Sequence, residues 1–171
     1  MIVIATTPGR ELWLKDCLES LNRPCLILSD FTYELGKIRW CAHHLKEKFL
    51  FLQDSVIIKS HDWIDEVLEL PGSTALTDDP RVYGMYMGVY EPDLLLQTSL
   101  PQVHNKAEAI RYEIDWTSEY AGISNPRVLW SDLKDALHSG EVTRHGKLCR
   151  VLENDFIIKY KSNWGQISAL D

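Results

Sequence analysis

Short apolar runs that stop abruptly at polar residues punctuate the first third of the chain. Stretches with apolar residues at every third or fourth position fill the gaps between them. The first run, Ile2-Val3-Ile4-Ala5, is closed by the loop Thr6-Thr7-Pro8-Gly9-Arg10. Leu14, Cys17, Leu18 and Leu21 then recur at helical spacing, with Pro24 just beyond as a stop. A second run, Cys25 to Leu28, ends at Ser29-Asp30, and from Gly36 onward Ile38, Cys41, Ala42, Leu45 and Phe49 share one helical face. The third run, Phe49-Leu50-Phe51-Leu52, breaks at Gln53-Asp54-Ser55, and Val56-Ile57-Ile58 follows at once. Bounded runs this short read as buried strands. The order strand, helix, strand, helix, strand predicts right-handed crossovers and a parallel sheet with helices packed against it.

In such a sheet the three strands end in polar loops on one edge, so Thr6, Thr7, Arg10, Asp30 and Asp54 are expected to face one crevice. Ligands of open α/β sheets bind outside the carboxyl ends of the strands. Asp54, between two apolar runs, is the most informative of these residues. A carboxylate there serves a divalent cation, a ribose hydroxyl, or no ligand at all as a strand-ending turn residue.

Further along, His61-Asp62-Trp63-Ile64-Asp65 opens a short helix with Trp63, Ile64, Val67 and Leu68 as its apolar positions, ended by Pro71-Gly72. Asp62 reads as a first-turn helix acid. Val82 to Tyr90 is rich in strand formers, with Gly84 and Gly88 where a side chain would obstruct a ligand or a neighbouring backbone. After a loop from Gln97 to Asn105, a helix is expected from about Lys106 to Tyr120. Ala107, Ile110, Ile114 and Thr117 form its apolar face, and Glu108, Glu113, Asp115 and Glu119 make either a solvated face or a source of catalytic carboxylate. Ser131 reads as the N-cap of a short helix through Leu137, with Gly140 as its stop. Val151-Leu152 and Phe156-Ile157-Ile158 around Glu153-Asn154-Asp155 predict a hairpin. Lys159, Tyr160, Lys161 and Trp164 follow it, either as a basic-aromatic clamp for a diphosphate, sugar or base or as an ordinary edge strand.

The first 60 residues resemble the nucleotide-binding half of a GT-A fold glycosyltransferase, most nearly the family 2 type. The matching pieces are the opening strand and loop, Ile2 to Arg10; the helix Leu14-Lys15-Asp16-Cys17-Leu18-Glu19-Ser20-Leu21; the strand ending at Asp30; Gly36 and its helix; and Phe51-Leu52-Gln53-Asp54-Ser55, where that family carries its Asp-x-Asp motif. The likeness covers roughly a third of the chain closely and the next third loosely. It implies a three-layer α/β/α nucleotide-diphospho-sugar transferase fold with a mostly parallel central sheet. The chain would be one domain, with residues 1–60 as the nucleotide-binding half and residues 80–171 as the acceptor side and C-terminal elements. The implied activity moves a sugar from a nucleotide-diphosphate sugar, UDP-linked, to an unknown acceptor by metal-assisted displacement at the anomeric carbon.

On the same resemblance, Thr6, Thr7, Arg10, Asp30, Lys37, Gln53 and Asp54 hold the nucleotide. Mn²⁺ or Mg²⁺ sits at Asp54 and Ser55, with His145 as a C-terminal ligand. Tyr86, Met87 and Gly88 floor the acceptor site. The general base is Glu108, nearest the helix start, or Glu113 or Asp115, since the acceptor hydroxyl must lose its proton as it attacks. One departure stands out: the motif offers Asp54 alone where two or three carboxylates are usual, which weakens a cation site and leaves metal-free transfer open. Sugar-phosphate nucleotidyl transfer is a second reading, although Pro8-Gly9-Arg10 is slight beside the glycine-rich basic loop it requires. A degenerate, non-catalytic nucleotide-binding or interaction module is a third.

The 171 residues suffice for one well-buried core. A formal charge of −7 argues against broad nucleic-acid binding, while a nucleic-acid acceptor stays open. No run is long enough to span a membrane, and Met1 leads straight into a strand rather than a signal peptide, so a cytoplasmic location is expected. The four cysteines lack metal spacing and read as reduced core thiols.

Overall fold

Ile2–Thr6 (β1), Leu26–Ser29 (β2) and Phe49–Gln53 (β3) are parallel neighbours in the order β2-β1-β3. The structure, a computed structural model, describes residues 1–78, 86–133 and 140–162. The helices Glu11–Leu21 (α1) and Tyr33–His44 (α2) make the two crossovers. β1 and the Phe49–Leu52 part of β3 are buried on both faces, which explains their unbroken apolar runs. Ile2, Ile4, Leu50 and Leu52 pack with Cys17 and Leu21 of α1 and with Trp63, Ile64 and Val67 of the helix Asp62–Glu69 (α3). Val3, Ala5, Phe49 and Phe51 pack on the other face with Leu35, Ile38, Cys41 and Ala42 of α2.

β2 departs from the expected buried strand. It is the sheet edge, with Leu26 and Leu28 half-buried against the α2 side and Ile27 open to solvent. One neighbouring strand and one packed face leave the other face uncovered. α2 also starts three residues earlier than Gly36, at Tyr33, which holds a left-handed φ of 58°. Phe49 belongs to β3 rather than to the end of that helix.

The sheet continues beyond β3 with one strand from the expected Val82 to Tyr90 stretch and two that the hydrophobic pattern did not announce. Thr74–Thr77 (β5), Gly88–Tyr90 (β6) and Arg127–Trp130 (β7) complete the six-stranded order β2-β1-β3-β6-β5-β7. Only β6 runs antiparallel to its neighbours, so the sheet is mostly parallel. Gly88 is required by the neighbouring backbone rather than by a ligand: a Cβ there would lie 2.5 Å from the Thr74 carbonyl oxygen. Tyr86 and Met87, the other proposed floor residues, are buried in the core, while Val82 to Met85 lie outside the described residues.

The long helix Lys106–Ser124 (α5) and the short Pro92–Leu95 (α4) pack with α2. The face of α5 differs from the expected one. Thr117 is buried as expected, but together with Trp116, Tyr120 and Ala121, whereas Ala107 and Ile114 are exposed. The aromatic row decides this: Trp116 and Tyr120 stack with centroids 5.6 Å apart and meet Tyr90, burying more area than the smaller Ala and Ile side chains offer.

β3 runs directly through Asp54-Ser55 into Val56–Ile58 (β4), which leaves the first sheet and joins a second. That sheet is antiparallel, in the order β4-β10-β9-β8, with β8 at Gly140–Arg144, β9 at Lys147–Glu153 and β10 at Ile157–Lys161. The expected β9–β10 hairpin forms, its turn closed by Asn154 Oδ1 accepting from the Phe156 and Ile157 amides at 2.9 and 3.0 Å. β10 is an inner strand, so Lys159-Tyr160-Lys161 is neither a free tail nor a sheet edge. Gly140 opens β8; the expected helix from Ser131 falls largely on residues 134–139, outside the described residues, as does Trp164. All four cysteines are free, and burial pushes the Cys17 and Cys41 thiols up to about 12, so they are protonated core residues near neutral pH.

Candidate functional site

The turn that ends β3 is pinned against β1, where the Asp54 amide donates to the Ala5 carbonyl at 2.9 Å. This buries the Asp54 side chain to 4 % exposure and points it at the end of the neighbouring strand. Thr6 Oγ1 donates to Asp54 Oδ2 at 2.6 Å. Arg10 closes on the same carboxylate from the β1–α1 loop, Nε donating to Oδ2 and Nη2 to Oδ1, both at 2.7 Å. The pair is a bidentate fork. The Arg10 amide donates to Thr7 O at 3.2 Å, and the guanidinium carbon lies 5.0 Å from the centre of the Trp13 ring, so both the loop and the guanidinium plane are held. Thr6, Arg10 and Asp54 thus share one edge, with Thr7 half-buried beside them.

At the end of β2 a separate arrangement surrounds Asp30. Its Oδ1 accepts from the Thr32 amide and hydroxyl at 2.8 and 2.6 Å and faces Lys37 Nζ at 3.0 Å. Burial opposes ionisation of Asp30, but the Thr32 hydrogen bonds and the Lys37 charge outweigh it and hold the carboxyl below its usual range. Lys37 is buried, and its ammonium also donates to the Asp30 and Tyr33 carbonyls at 3.3 and 3.2 Å. Lys37 therefore shapes the loop that carries Asp30. The Asp30 side chain remains 46 % exposed and able to accept from a ligand hydroxyl.

Gln53 donates to Glu34 Oε1 at 2.8 Å, which brings the first-turn acid of α2 to the end of β3. Burial, then the Glu113 and Glu34 carboxylates, push the Tyr86 phenol well above its ordinary value. The three candidate bases separate here. Glu108 Oε2 accepts from the His104 amide at 2.8 Å while Asn105 Oδ1 accepts from the Glu108 amide at 3.0 Å, a cap at the start of α5. Asp115 is exposed and faces Arg111 one turn away at 3.5 Å. Glu113 is half-buried on the side of α5 that carries Trp116 and Thr117.

His145 lies at the tip of the β8–β9 hairpin, where His145 and Gly146 have φ of 49° and 73°, the geometry of a two-residue primed turn. That tip packs on α1. His145 Nε2 meets Asp16 Oδ2 at 2.7 Å, and Arg144 donates to the same oxygen. The Arg144 guanidinium carbon sits 4.5 Å from the Tyr160 ring centre, and the His145 and Tyr160 rings lie 5.0 and 6.1 Å from Trp13. The Tyr160 amide donates to Ser55 O at 3.0 Å, which fastens this wall to the Asp54-Ser55 turn. Trp13 thus contacts both Arg10 and the hairpin tip. Sequence reasoning missed Glu34, Trp13, Asp16 and Arg144; the His-Gly pair between two alternating segments is the one local signal for the hairpin.

Burial of the Asp16 carboxyl opposes its ionisation, but the hydrogen bonds and charges of His145 and Arg144 outweigh it and hold the group below 3.8. Asp16 and Asp30 both have lowered folded-state values. Each therefore contributes stability that is fully present above the unfolded value and is lost as pH falls through the folded one. Urea unfolding from neutral to strongly acidic pH should show stability dropping below about pH 4, with Asp16→Asn flattening the drop. An acid profile unchanged by Asp16→Asn would mean that the hairpin tie contributes nothing.

Two of the proposed cation ligands are committed to different partners, Asp54 to Arg10 and His145 to Asp16. Among the described residues no group of three or more His, Cys, Asp and Glu side chains is placed to hold a metal. Asp54 has three of its roughly four lone-pair sites occupied by Thr6 and Arg10, and His145 is engaged with Asp16. With its carboxylate already neutralised by a guanidinium, this donor set does not fit a hard divalent cation. A cavity of about 300 Å³, lined by Thr32, Gly36, Arg39, Gln102, Val103 and His104, opens beside the Asp30 loop. A second of similar size, lined by Lys48 and Glu91 among others, lies at the amino end of β3, away from Asp54.

No family model matches the sequence, and no curated protein matches it. The crystal structure of A197 from STIV resembles the fold with a TM-score of 0.47 and 14 % identity, over 91 % of this chain and 87 % of that one. A likeness at that level carries no argument about function. No helix among the described residues is long and apolar enough to cross a membrane.

Proposed function

We propose that the chain is a glycosyltransferase of the GT-A type that takes a nucleotide-diphosphate sugar, UDP-linked, and transfers the sugar to an acceptor hydroxyl by direct displacement. The observation that carries this reading is the meeting of Thr6, Arg10 and Asp54 at the carboxyl edge of parallel strands, 44 to 48 residues apart in the chain. That edge is where α/β sheets bind nucleotides. Asp30, exposed at the end of the adjacent strand, is the acceptor for a ribose hydroxyl. Glu113 is the base. Its carboxylate takes the proton of the acceptor hydroxyl as that oxygen bonds to the anomeric carbon, and the nucleoside diphosphate departs with the electrons of the broken C–O bond. Glu113 is preferred to Glu108, which caps the start of α5, because its carboxylate and that of Glu34, the partner of Gln53 at the end of β3, both act on the Tyr86 phenol.

The test is a thermal-unfolding screen. UDP and UDP-sugars should raise the melting temperature more than ATP or GTP at equal concentration. A ligand that binds only the folded state stabilises it by about 2.7 kcal/mol at a hundredfold excess over its dissociation constant. No shift with any nucleotide, with or without Mn²⁺, would leave the interaction-module reading.

A further inference from the structure

We infer that the diphosphate of the nucleotide is held by the Arg10 guanidinium, aimed by Asp54, and that its binding requires no divalent cation. The inference rests on the nucleotide-sugar reading above and adds what neutralises the leaving group. A resident cation at the end of β3 would use the Asp54 carboxylate, yet that group is buried and already carries Thr6 at 2.6 Å and both arms of Arg10 at 2.7 Å. The Ser55 carbonyl accepts from the Tyr160 amide, and the Gln53 side chain is turned toward Glu34. A cation entering here would also meet a fixed guanidinium on the same carboxylate, a like-charge contact at short range.

Arg10 has what a diphosphate needs. Two of its five N–H donors serve Asp54, which leaves three in the same plane. A planar fork of donors matches phosphate oxygens in a way that a point charge does not. The plane is set by Asp54 at one side and by the Trp13 face at 5.0 Å, so little ordering remains for binding to impose. The side chain keeps 19 % exposure at the strand edge, whereas Asp54 keeps 4 %, so the guanidinium and not the carboxylate is the group a ligand meets. The Arg144 guanidinium and the His145 ring continue the wall at Trp13, each tied to Asp16. Asp54 is in this view a positioning residue, and Arg10 the binding group.

Calorimetric titration of the 171-residue chain with UDP, in excess EDTA and again in saturating Mn²⁺, decides the matter. The dissociation constants should agree within about threefold, well under the tenfold that marks 1.4 kcal/mol. Arg10→Lys keeps a positive charge beside Asp54, so it should fold, but it removes the fork; it should weaken UDP binding by about tenfold or more in EDTA. Binding that appears only with Mn²⁺ would overturn the inference and leave the nucleotide-sugar reading standing. Metal-independent binding that Arg10→Lys does not weaken would remove Arg10 from the site. No UDP binding under either condition would sink both.

Discussion

Arg10→Met should lower stability by about 3 kcal/mol in urea unfolding at neutral pH, with Asp54→Asn costing less. The asymmetry follows from burial. Without Arg10 the Asp54 carboxylate is left at 4 % exposure with the Thr6 hydroxyl and no guanidinium against it, and burying an uncompensated charge is what makes half of an ion pair expensive. Without the Asp54 charge, Arg10 at 19 % exposure can turn toward water, and the Asn amide still accepts one hydrogen bond. The double variant should be closer to the wild type than the two single losses added together. A coupling energy below about 0.5 kcal/mol in that cycle would mean that the fork is not formed in solution. This expectation differs from that for a simple strand-ending aspartate, whose loss alters stability little.

Glu113→Gln should reduce turnover of the nucleotide sugar roughly a hundredfold or more while leaving nucleotide affinity unchanged, the usual scale for losing a general base. Glu108→Gln is the contrasting case. It weakens the cap at the start of α5, so it should cost at most about 1 kcal/mol of stability and leave turnover within a few-fold of wild type. Asp115→Asn, on an exposed pair with Arg111, should change neither quantity appreciably. Measured side by side with the UDP-sugar that gives the largest thermal shift, the three variants separate chemistry from folding. Full turnover in Glu113→Gln would move the base elsewhere, with Glu34, the other carboxylate that acts on the Tyr86 phenol, the next residue to replace.

How far the chain could be read without its structure depended on how local each signal was. β1 and β3, as well as α1 and α3, were legible because burial on both faces writes an unbroken apolar run and an amphipathic helix writes a 3.6-residue period. Thr74-Ala-Leu-Thr and Arg127-Val-Leu-Trp were not, since four residues with polar members carry no readable period and become strands through their pairing with β6 and with each other. α5 was found with Thr117 on its buried face, but Ala107 and Ile114 were placed there instead of the aromatic row Trp116 and Tyr120, which only Tyr90 on a different element makes into a core. The β9–β10 hairpin was visible from its turn; that β10 lies inside a second sheet, paired with β4 about a hundred residues earlier, was not.

By itself the sequence determined the alternation of elements, hence a mostly parallel sheet and a common edge for Thr6, Arg10 and Asp54. That much follows from periodicity and the handedness of crossovers, both local or topological properties. What only the tertiary structure decided was the partnership at that edge. Arg10 grips Asp54 from 44 residues away, and His145 and Arg144 grip Asp16 from well over a hundred residues away. Charge pairs of that separation leave no pattern in the chain, because their geometry depends on the packing of the elements that carry them. The same carboxylate reads as a metal ligand in sequence and as the partner of a guanidinium in space.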